Sequence, residues 1–307
     1  MTATVVRSTG KWYRLLSEDG RTIDARLRGR IRLQGRQTTN PVAVGDVVDI
    51  EPNDDDTWRI TDIHERHNAI VRQSPRRRNQ QHVLAANLDQ ALLMATMARP
   101  RTSTGFLDRF LLTAEADHIP TILVFNKQDD LSDTERVEQD RIAAIYRSAG
   151  YDVLLTSAVD GTGVEVVRER LRDKVTLLCG HSGVGKSTLA NAIDPELDLR
   201  TGAISAKHEK GMHTTTFAER LPLSVGGWVV DIPGIKEFGV IDFEEAEVSH
   251  YYPEMRALLP DCRFNDCLHE SEPGCAVRAA LDDGTISEVR YANYLGILGD
   301  VRAARRW

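Results

Sequence analysis

The sequence predicts a multi-domain fold with an N-terminal β-barrel, a central α/β domain on a mostly parallel sheet, and a C-terminal helical module. Three observations lead to this fold class. Short alternating runs fill residues 1–80, apolar runs separated by helical stretches fill residues 81–240, and a Cys and His cluster precedes a final helical pattern in residues 241–307. We expect the domain boundaries at these positions.

Composition and charge exclude several classes of protein. The 307 residues are 41% hydrophobic and 28% charged with a net charge of -7, which argues against a disordered chain and against bulk-charge binding of nucleic acid. No apolar run approaches the ~18 residues that span a bilayer, and we expect no signal peptide and a cytoplasmic location. The acidic total hides a basic part, because residues 1–80 hold 15 Lys or Arg against 11 Asp or Glu.

The N-terminal part has the pattern of short β-strands. Residues 26–33 alternate strictly, and residues 44–50 follow a turn rich in Pro and Gly. A handful of such strands within about 70 residues favours a small barrel.

Two groups of arginines give this part its positive charge. The first has a spacing of two and would project from one strand face, and the second lies just before the central domain: Arg26, Arg28, Arg30 and Arg32, then Arg66, Arg72, Arg76, Arg77 and Arg78. Both groups suit RNA phosphates. The alternative is an edge strand that charge protects from pairing.

The central domain alternates apolar strands with helical stretches. The candidate buried strands are residues 92–97, 121–125, 152–155, 175–179 and 228–232. This alternation predicts a mostly parallel sheet with helices on both faces. Cys179, at the end of one strand, is most simply a small core hydrophobe.

The strongest motif directly follows the strand that ends at Cys179 and precedes a helical stretch. It has the P-loop pattern in its strand-loop-helix context, with Gly180, His181, Ser182, Gly183, Val184, Gly185, Lys186, Ser187 and Thr188. Such a loop wraps backbone N–H groups around phosphates, while its Lys reaches the β and γ phosphates and its Ser binds Mg²⁺. The motif predicts a nucleotide without saying which one.

Two further motifs select the base. Asn126, Lys127 and Asp129 follow a predicted strand in the guanine-specificity pattern, and Ser157 and Ala158 follow the next strand. A carboxylate at Asp129 accepts hydrogen bonds from the guanine ring N–H and amine, a donor pair that adenine lacks. With the P-loop, these motifs predict GTP.

The magnesium and γ-phosphate side is predicted from the segments around residue 231. Asp231 and Gly234 end a strand in the pattern whose Asp holds Mg²⁺ and whose Gly senses the γ phosphate. Thr214 or Thr215, between the P-loop and this strand, is the candidate further ligand. Ile235 stands where many GTPases place a water-orienting Gln, so we expect slow intrinsic hydrolysis, with His213 as the candidate to position water.

The order of the motifs is reversed relative to ordinary small GTPases. The guanine motifs precede the P-loop here, whereas they normally follow it. Because all of them converge at the carboxyl ends of the sheet strands, permuted connections can preserve the site.

The C-terminal cluster has a complete set of zinc ligands. Cys262, Cys267, His269 and Cys275 supply three thiolates and one imidazole with no open position, which favours a structural zinc site. A disulfide is the alternative, but it would leave one thiol unpaired.

These motifs together resemble the bacterial ribosome small-subunit-dependent GTPase A family, whose members are circularly permuted GTPases that assist late assembly of the small ribosomal subunit. The resemblance covers nearly the whole chain and implies an N-terminal OB-fold, one zinc ion, Mg²⁺ with GTP, and rRNA binding through the OB-fold and zinc module. It also implies GTP hydrolysis that the small subunit stimulates, release after maturation, and a catalytic role for His213 beside Lys186 and Thr215. Ile232 departs from the commoner Thr, with little expected consequence.

Two alternatives stay open from the sequence. The chain could act on another ribosomal particle, or it could be an RNA-binding module that uses GTP without stimulated turnover. In each case we expect a monomer that contacts no membrane.

Overall fold

The computed structural model describes residues 1–27, 40–53, 57–74, 77–199, 218–232 and 243–305. In the first of these ranges and up to residue 63, the strands close into a barrel in the order β1-β2-β3-β5-β4, with β1 also paired to β4. The strands are β1 Thr2–Ser8, β2 Tyr13–Ser17, β3 Thr22–Leu27, β4 Val47–Pro52 and β5 Trp58–Ile63. Alternate residues such as Val5, Leu15 and Ile60 fill the interior. The predicted barrel is confirmed, with the strand number of an OB-fold.

A β-hairpin connects the barrel to the central domain. It consists of β6 Ala69–Ser74 and β7 Arg77–Ala86. The boundary expected after residue 80 falls inside β7, and the division into domains stays a prediction.

The central sheet has the strand order β10-β9-β8-β11-β13-β12, in which only β12 runs antiparallel to its neighbour β13 among these pairings. The strands are β8 Gln90–Ala95, β9 Thr121–Phe125, β10 Asp152–Leu155, β11 Val175–Gly180, β12 Glu219–Pro222 and β13 Trp228–Asp231. All of them except β12 were predicted from apolar runs. Its partly exposed residues explain why no apolar run marks it.

Helices cover both faces of this sheet, as the alternation predicts. They are α1 Thr104–Ala116, α2 Asp133–Ser148, α3 Val164–Leu171 and α4 Lys186–Ile193. α1 and α2 pack with Leu93 and Leu177 on one face, whereas α3 and α4 pack with Leu92 and Leu178 on the other. Successive strand residues point to opposite faces, so each strand supplies both cores.

The barrel and the central sheet share backbone hydrogen bonding. β12 pairs with β1 on one side and β13 on the other, and Arg7 of β1 lies opposite Glu219 of β12. The strand that follows residues 200–217 therefore touches both domains.

The C-terminal module packs on α1. A 3₁₀ turn at Glu245–Tyr251 precedes α5 Pro253–Arg256, α6 Ala276–Asp282 and α7 Glu288–Arg305. Its core includes Leu112 of α1 together with Tyr252, Tyr294 and Ile297. The predicted final helix is confirmed as α7, and the 3₁₀ turn before it ends at Tyr251, since Pro253 disfavours helical backbone at Tyr252. None of the helices in the described ranges is long and apolar enough to cross a membrane.

Candidate functional site

The P-loop occupies the turn between β11 and α4. β11 ends at Gly180, α4 begins at Lys186, and Gly183 and Gly185 have φ values of +86° and +96° that disfavour other residues. A side chain at Gly185 would also collide with the amide of Asn126. The glycines thus let the loop turn tightly and leave its N–H groups at the start of α4, where the helix dipole favours an anion.

Lys186 closes this loop and lies near enough to Asp231 for the two charges to interact. Its Nζ donates to the carbonyls of Gly180 and His181 at 2.8 and 3.0 Å. Burial lowers the pKa of Lys186 and raises the pKa of Asp231, and each charge opposes the shift of the other. The ammonium of Lys186 and the carboxylate of Asp231 therefore lie in one partly buried region. A phosphate site needs the first group and a metal site the second.

The guanine motifs are joined to the P-loop by direct hydrogen bonds. Asn126 is 2% exposed, and its amide donates to the carbonyl of Val184 at 2.9 Å while its oxygen accepts from Thr156 at 3.0 Å and from the backbone of Ala158 at 3.3 Å. Ser157 donates to Asp129 at 2.6 Å, which fixes the carboxylate predicted to read guanine. The structure brings both guanine motifs and the P-loop together.

Three residues that hold these motifs, Gln139, Arg99 and Phe106, have no sequence signal. Gln128 and Gln139 exchange amide hydrogen bonds at 2.7 and 2.9 Å, which tie the guanine loop to α2. Lys127 has a left-handed φ of +68°, and its Nζ donates to the carbonyl of Arg99 at 2.6 Å. The ring of Phe106 lies 3.7 Å from that of His181, with a tilt of 34°.

Ser187 and Asp231 fit a magnesium site. Ser187 follows Lys186 at the start of α4, and β11 and β13 are parallel neighbours in which Leu178 pairs with Asp231. A hydroxyl and a carboxylate oxygen at one sheet edge are ligands that Mg²⁺ prefers beside a phosphate. The other predicted residues of this side, His213, Thr214, Thr215, Gly234 and Ile235, lie outside the described residues.

The predicted Cys and His cluster is assembled. The ligand atoms of Cys262, Cys267, His269 and Cys275 all lie within 4.8 Å of one another, and Nδ1 of His269 is 3.3 Å from Sγ of Cys275 and 3.7 Å from Sγ of Cys262. A tetrahedral zinc with Zn–S bonds of about 2.3 Å sets its ligands roughly 3.5–3.8 Å apart. All four cysteines of the chain are described and are free thiols, so the disulfide alternative has no support.

Two tyrosines of α7 hold the backbone next to the zinc ligands, and burial changes the pKa of one of the cysteines. Tyr291 donates to the carbonyl of His269 at 2.7 Å, and Tyr294 donates to that of Leu268 at 2.8 Å. Burial raises the pKa of Cys267 to about 12. Cysteines packed this closely can lose their protons together only if a cation offsets the negative charge. The donor set and its geometry therefore fit one structural zinc.

The structure changes the prediction for the basic clusters. The prediction that Arg66 binds RNA phosphates is wrong, because its guanidinium is buried and pairs with Asp46. The distance from Nε of Arg66 to Oδ1 of Asp46 is 2.6 Å. The tertiary fold brings Arg66 and Asp46 together, and the local sequence around Arg66 gives no sign of this pairing. Arg26 is exposed and lies 3.7 Å over the ring of Trp12. Arg28, Arg30, Arg32 and Arg76 lie outside the described residues, and only the backbone of Arg72, Arg77 and Arg78 is described.

Comparisons with known proteins match nearly the whole chain. A family model described as RsgA GTPase matches residues 63–241, and one described as RsgA N-terminal domain matches residues 2–58. The chain is 47% identical to a small ribosomal subunit biogenesis GTPase RsgA of Bacteroides fragilis, covering 98% of this chain and 97% of the relative. It is 48% identical to the protein of the same name in Phocaeicola vulgatus, with the same two coverages.

Two solved structures have the same fold. YjeQ from Thermotoga maritima superposes with a TM-score of 0.77 at 34% identity, covering 97% of each chain. YloQ, described as a circularly permuted GTPase, superposes with a TM-score of 0.74 at 31% identity, covering 98% of this chain and 95% of that chain.

Proposed function

Because the chain belongs to the RsgA GTPase family, whose members hydrolyse GTP, we propose that it is a ribosome-biogenesis factor for the small subunit. It binds the small ribosomal subunit and its rRNA, assists late maturation, and hydrolyses GTP on the subunit to drive its own release. The observation that carries the GTP part of this proposal is the contact of Asn126 with Val184, which joins the guanine motif to the P-loop.

The P-loop and its neighbours support phosphoryl transfer to water. Lys186 is placed to neutralise the β and γ phosphates, and the loop N–H groups bind their oxygens. Ser187, Asp231 and Thr215 would hold Mg²⁺, which would offset the negative charge that develops on the phosphates. His213 is the residue that we propose to orient the attacking water, because Ile235 is apolar.

The connections of the chain support a link between GTP and rRNA binding. Residues 200–217 lead into β12, which pairs with β1 of the barrel, and residues 233–242 lead from Asp231 into the C-terminal module. A nucleotide-dependent change in either segment would therefore reach a module that we propose to contact rRNA. The zinc cluster would keep the C-terminal loop in one shape for that contact, without chemistry of its own.

Sedimentation tests the subunit assignment. The full chain, a non-hydrolysable GTP analogue and purified ribosomal subunits would be centrifuged through sucrose, with GDP and a Lys186→Ala chain as controls. We expect the wild-type chain to move with small subunits in the analogue and to stay behind in GDP. We expect it to act as a cytoplasmic monomer, so one copy should be bound per subunit.

Other outcomes would separate the alternatives. Movement with large subunits alone would show that the chain acts on another ribosomal particle. Binding to small subunits without any stimulation of GTP hydrolysis would identify an RNA-binding module that uses GTP as a structural ligand.

A further inference from the structure

The stretch Thr96–Asp108 forms a closed loop followed by the first five residues of α1. The backbone N–H of Thr102 donates to the carbonyl of Thr96 at 2.8 Å, and the backbone N–H of Thr96 donates to the hydroxyl of Thr102 at 3.1 Å. The Thr96 hydroxyl also bonds the carbonyl of Pro100. Ser103 caps α1 by accepting from the backbone N–H of Phe106. Loop and helix start are therefore held as one unit, which we call the bracing segment.

The bracing segment touches the nucleotide site in three places. The carbonyl of Arg99 accepts from Nζ of Lys127 at 2.6 Å, and the ring of Phe106 stacks on His181 of the P-loop at 3.7 Å. The ring of Pro100 lies at van der Waals distance from the Cβ position of Gly183. The guanine motif and the P-loop therefore both contact the bracing segment.

The side chain of Arg99 also binds the bracing segment to the residues that follow the guanine motif. Its guanidinium bonds the carboxylate of Asp130 at 2.7 Å and that of Glu135 at 3.2 Å, just after the guanine motif. These pairs are exposed and contribute little alone, but with the carbonyl contact to Lys127 they leave the loop few alternative positions.

Asp108, the last residue of the bracing segment, is buried against the C-terminal module. The carboxylate of Asp108 is 1% exposed and accepts from Arg290 at 2.5 Å and from Asn293 at 2.7 Å, both on α7. Tyr146 of α2 donates to the same carboxylate at 2.8 Å. Arg290 is 2% exposed and also bonds Glu254 at 2.7 Å.

A buried carboxylate with this many partners has one favourable position, because any displacement leaves a charge unpaired away from water. Phe106 lies on the first turn of α1 and Asp108 begins the second, so a shift of the helix at Asp108 also moves the ring that stacks on His181. α1 packs as a rigid helix, which transmits such a shift rather than absorbing it.

We propose that the bracing segment positions the P-loop and Lys127, and that the contact of Asp108 with Arg290 and Asn293 is where the C-terminal module sets guanine-nucleotide affinity. This inference rests on the proposed function, since it places GTP at the P-loop. Coupling of this kind is reciprocal, so nucleotide binding also changes how firmly the C-terminal module is held. Phe106, Asp108, Arg290 and Asn293 are then positioning residues, not catalytic ones.

The test measures the dissociation rate of a fluorescent GDP from the full chain. Asn293→Ala removes one donor to Asp108 without stranding a cation, and Phe106→Leu removes the stacked ring while keeping an apolar side chain. We expect GDP to dissociate about fivefold faster from each variant at an unchanged association rate, so that its affinity falls by a factor typical of coupled sites. In the double variant, the fold-increase in the GDP dissociation rate should be smaller than the product of the two single fold-increases, because both changes act on one chain of contacts.

Asp300→Ala is the matched control. It breaks the exposed ion pair of Asp300 with Arg109, 2.6 Å long and also between α7 and α1, but does not touch Asp108. Its GDP dissociation rate should equal that of wild type. Arg290→Lys is a second variant of the buried contact, and thermal melting without nucleotide reports how much each variant loses in stability.

Two results would overturn the proposal. One is a dissociation rate within about twofold of wild type in both Asn293→Ala and Phe106→Leu. The other is a double variant whose effect equals the product of the single effects. A wild-type chain that binds no GDP would instead contradict the proposed function, and with it the premise of this inference.

Discussion

The side-chain amide of Asn126 donates to the main-chain carbonyl of Val184 across 2.9 Å, although 58 residues separate them in the chain. Asn126 belongs to the guanine motif and Val184 to the P-loop, and here the guanine motif comes first. Both lie at carboxyl ends of parallel strands, where the order of the connections matters less than the position of the strand ends. Permutation has therefore kept the contact between the two motifs although their order along the chain is reversed.

Loss of the P-loop ammonium should abolish nucleotide binding. In Lys186→Ala, we expect the affinity for fluorescent GDP to fall about a hundredfold or more, because nothing else in the described loop neutralises the phosphates. Lys174→Ala is the control, since Lys174 precedes the same strand at its opposite end and bonds Gln90. Unaltered hydrolysis by Lys186→Ala would mean that the P-loop is misassigned.

Asp129 should determine the choice of base. Asp129→Asn replaces an acceptor oxygen by an N–H donor, which repels the guanine amine and suits the carbonyl of xanthine. We expect affinity for GTP to fall about a hundredfold or more and affinity for xanthosine triphosphate to rise. Competition binding with both nucleotides measures the ratio, with the exposed Asp133→Asn as control. An unchanged ratio would show that another group reads the base.

The Cys and His cluster should hold one zinc ion per chain. Cys262→Ser should lose the metal in elemental analysis and should melt at a lower temperature, because metal binding and folding of this loop are coupled. Cys179→Ala should keep one zinc, since Cys179 lies buried under the P-loop, where burial raises the pKa of its thiol. A zinc content below one half in wild type purified without chelator would contradict the assignment.

Asp117 should make stability depend on pH. Burial raises its pKa from 3.8 to about 7, so the folded state keeps a proton that the unfolded state loses between those values. A raised carboxyl pKa stabilises the fold at low pH and loses that contribution as pH rises toward 7. In Asp117→Asn, the gain in melting temperature over wild type should grow from pH 4 to pH 7 and then level off.

The exposed Asp140→Asn is the control for this titration. Parallel melting curves of wild type and Asp117→Asn across the same pH range would show that Asp117 does not carry the effect.

Much of this molecule follows from local sequence. The barrel, the parallel strands, the P-loop, both guanine motifs and the Cys and His cluster are contiguous patterns whose physics is local, such as strand alternation, glycine turns and ligand spacing. The structure brings Asn126, Val184 and Asp129 together, as the spacing and strand context of their motifs predict, and their roles toward the base and the phosphates stay predictions.

Contacts between distant segments were not predictable in this way. Arg66 looks like part of a basic cluster, yet it is buried on Asp46, which lies 20 residues earlier. Arg290 and Asp108 are 182 residues apart, and neither lies in a motif. Phe106 on His181 is likewise a packing contact, visible only once α1 is placed against the P-loop.

Turnover on the ribosomal subunit tests the proposed function most directly. GTP hydrolysis by the full chain would be measured alone, with purified small subunits and with purified large subunits, at equal particle concentrations. Because Ile235 leaves the usual water-orienting position apolar, we expect slow turnover alone and an increase of about a hundredfold or more with small subunits only. Equal rates with and without small subunits would contradict the claim that the subunit activates this GTPase.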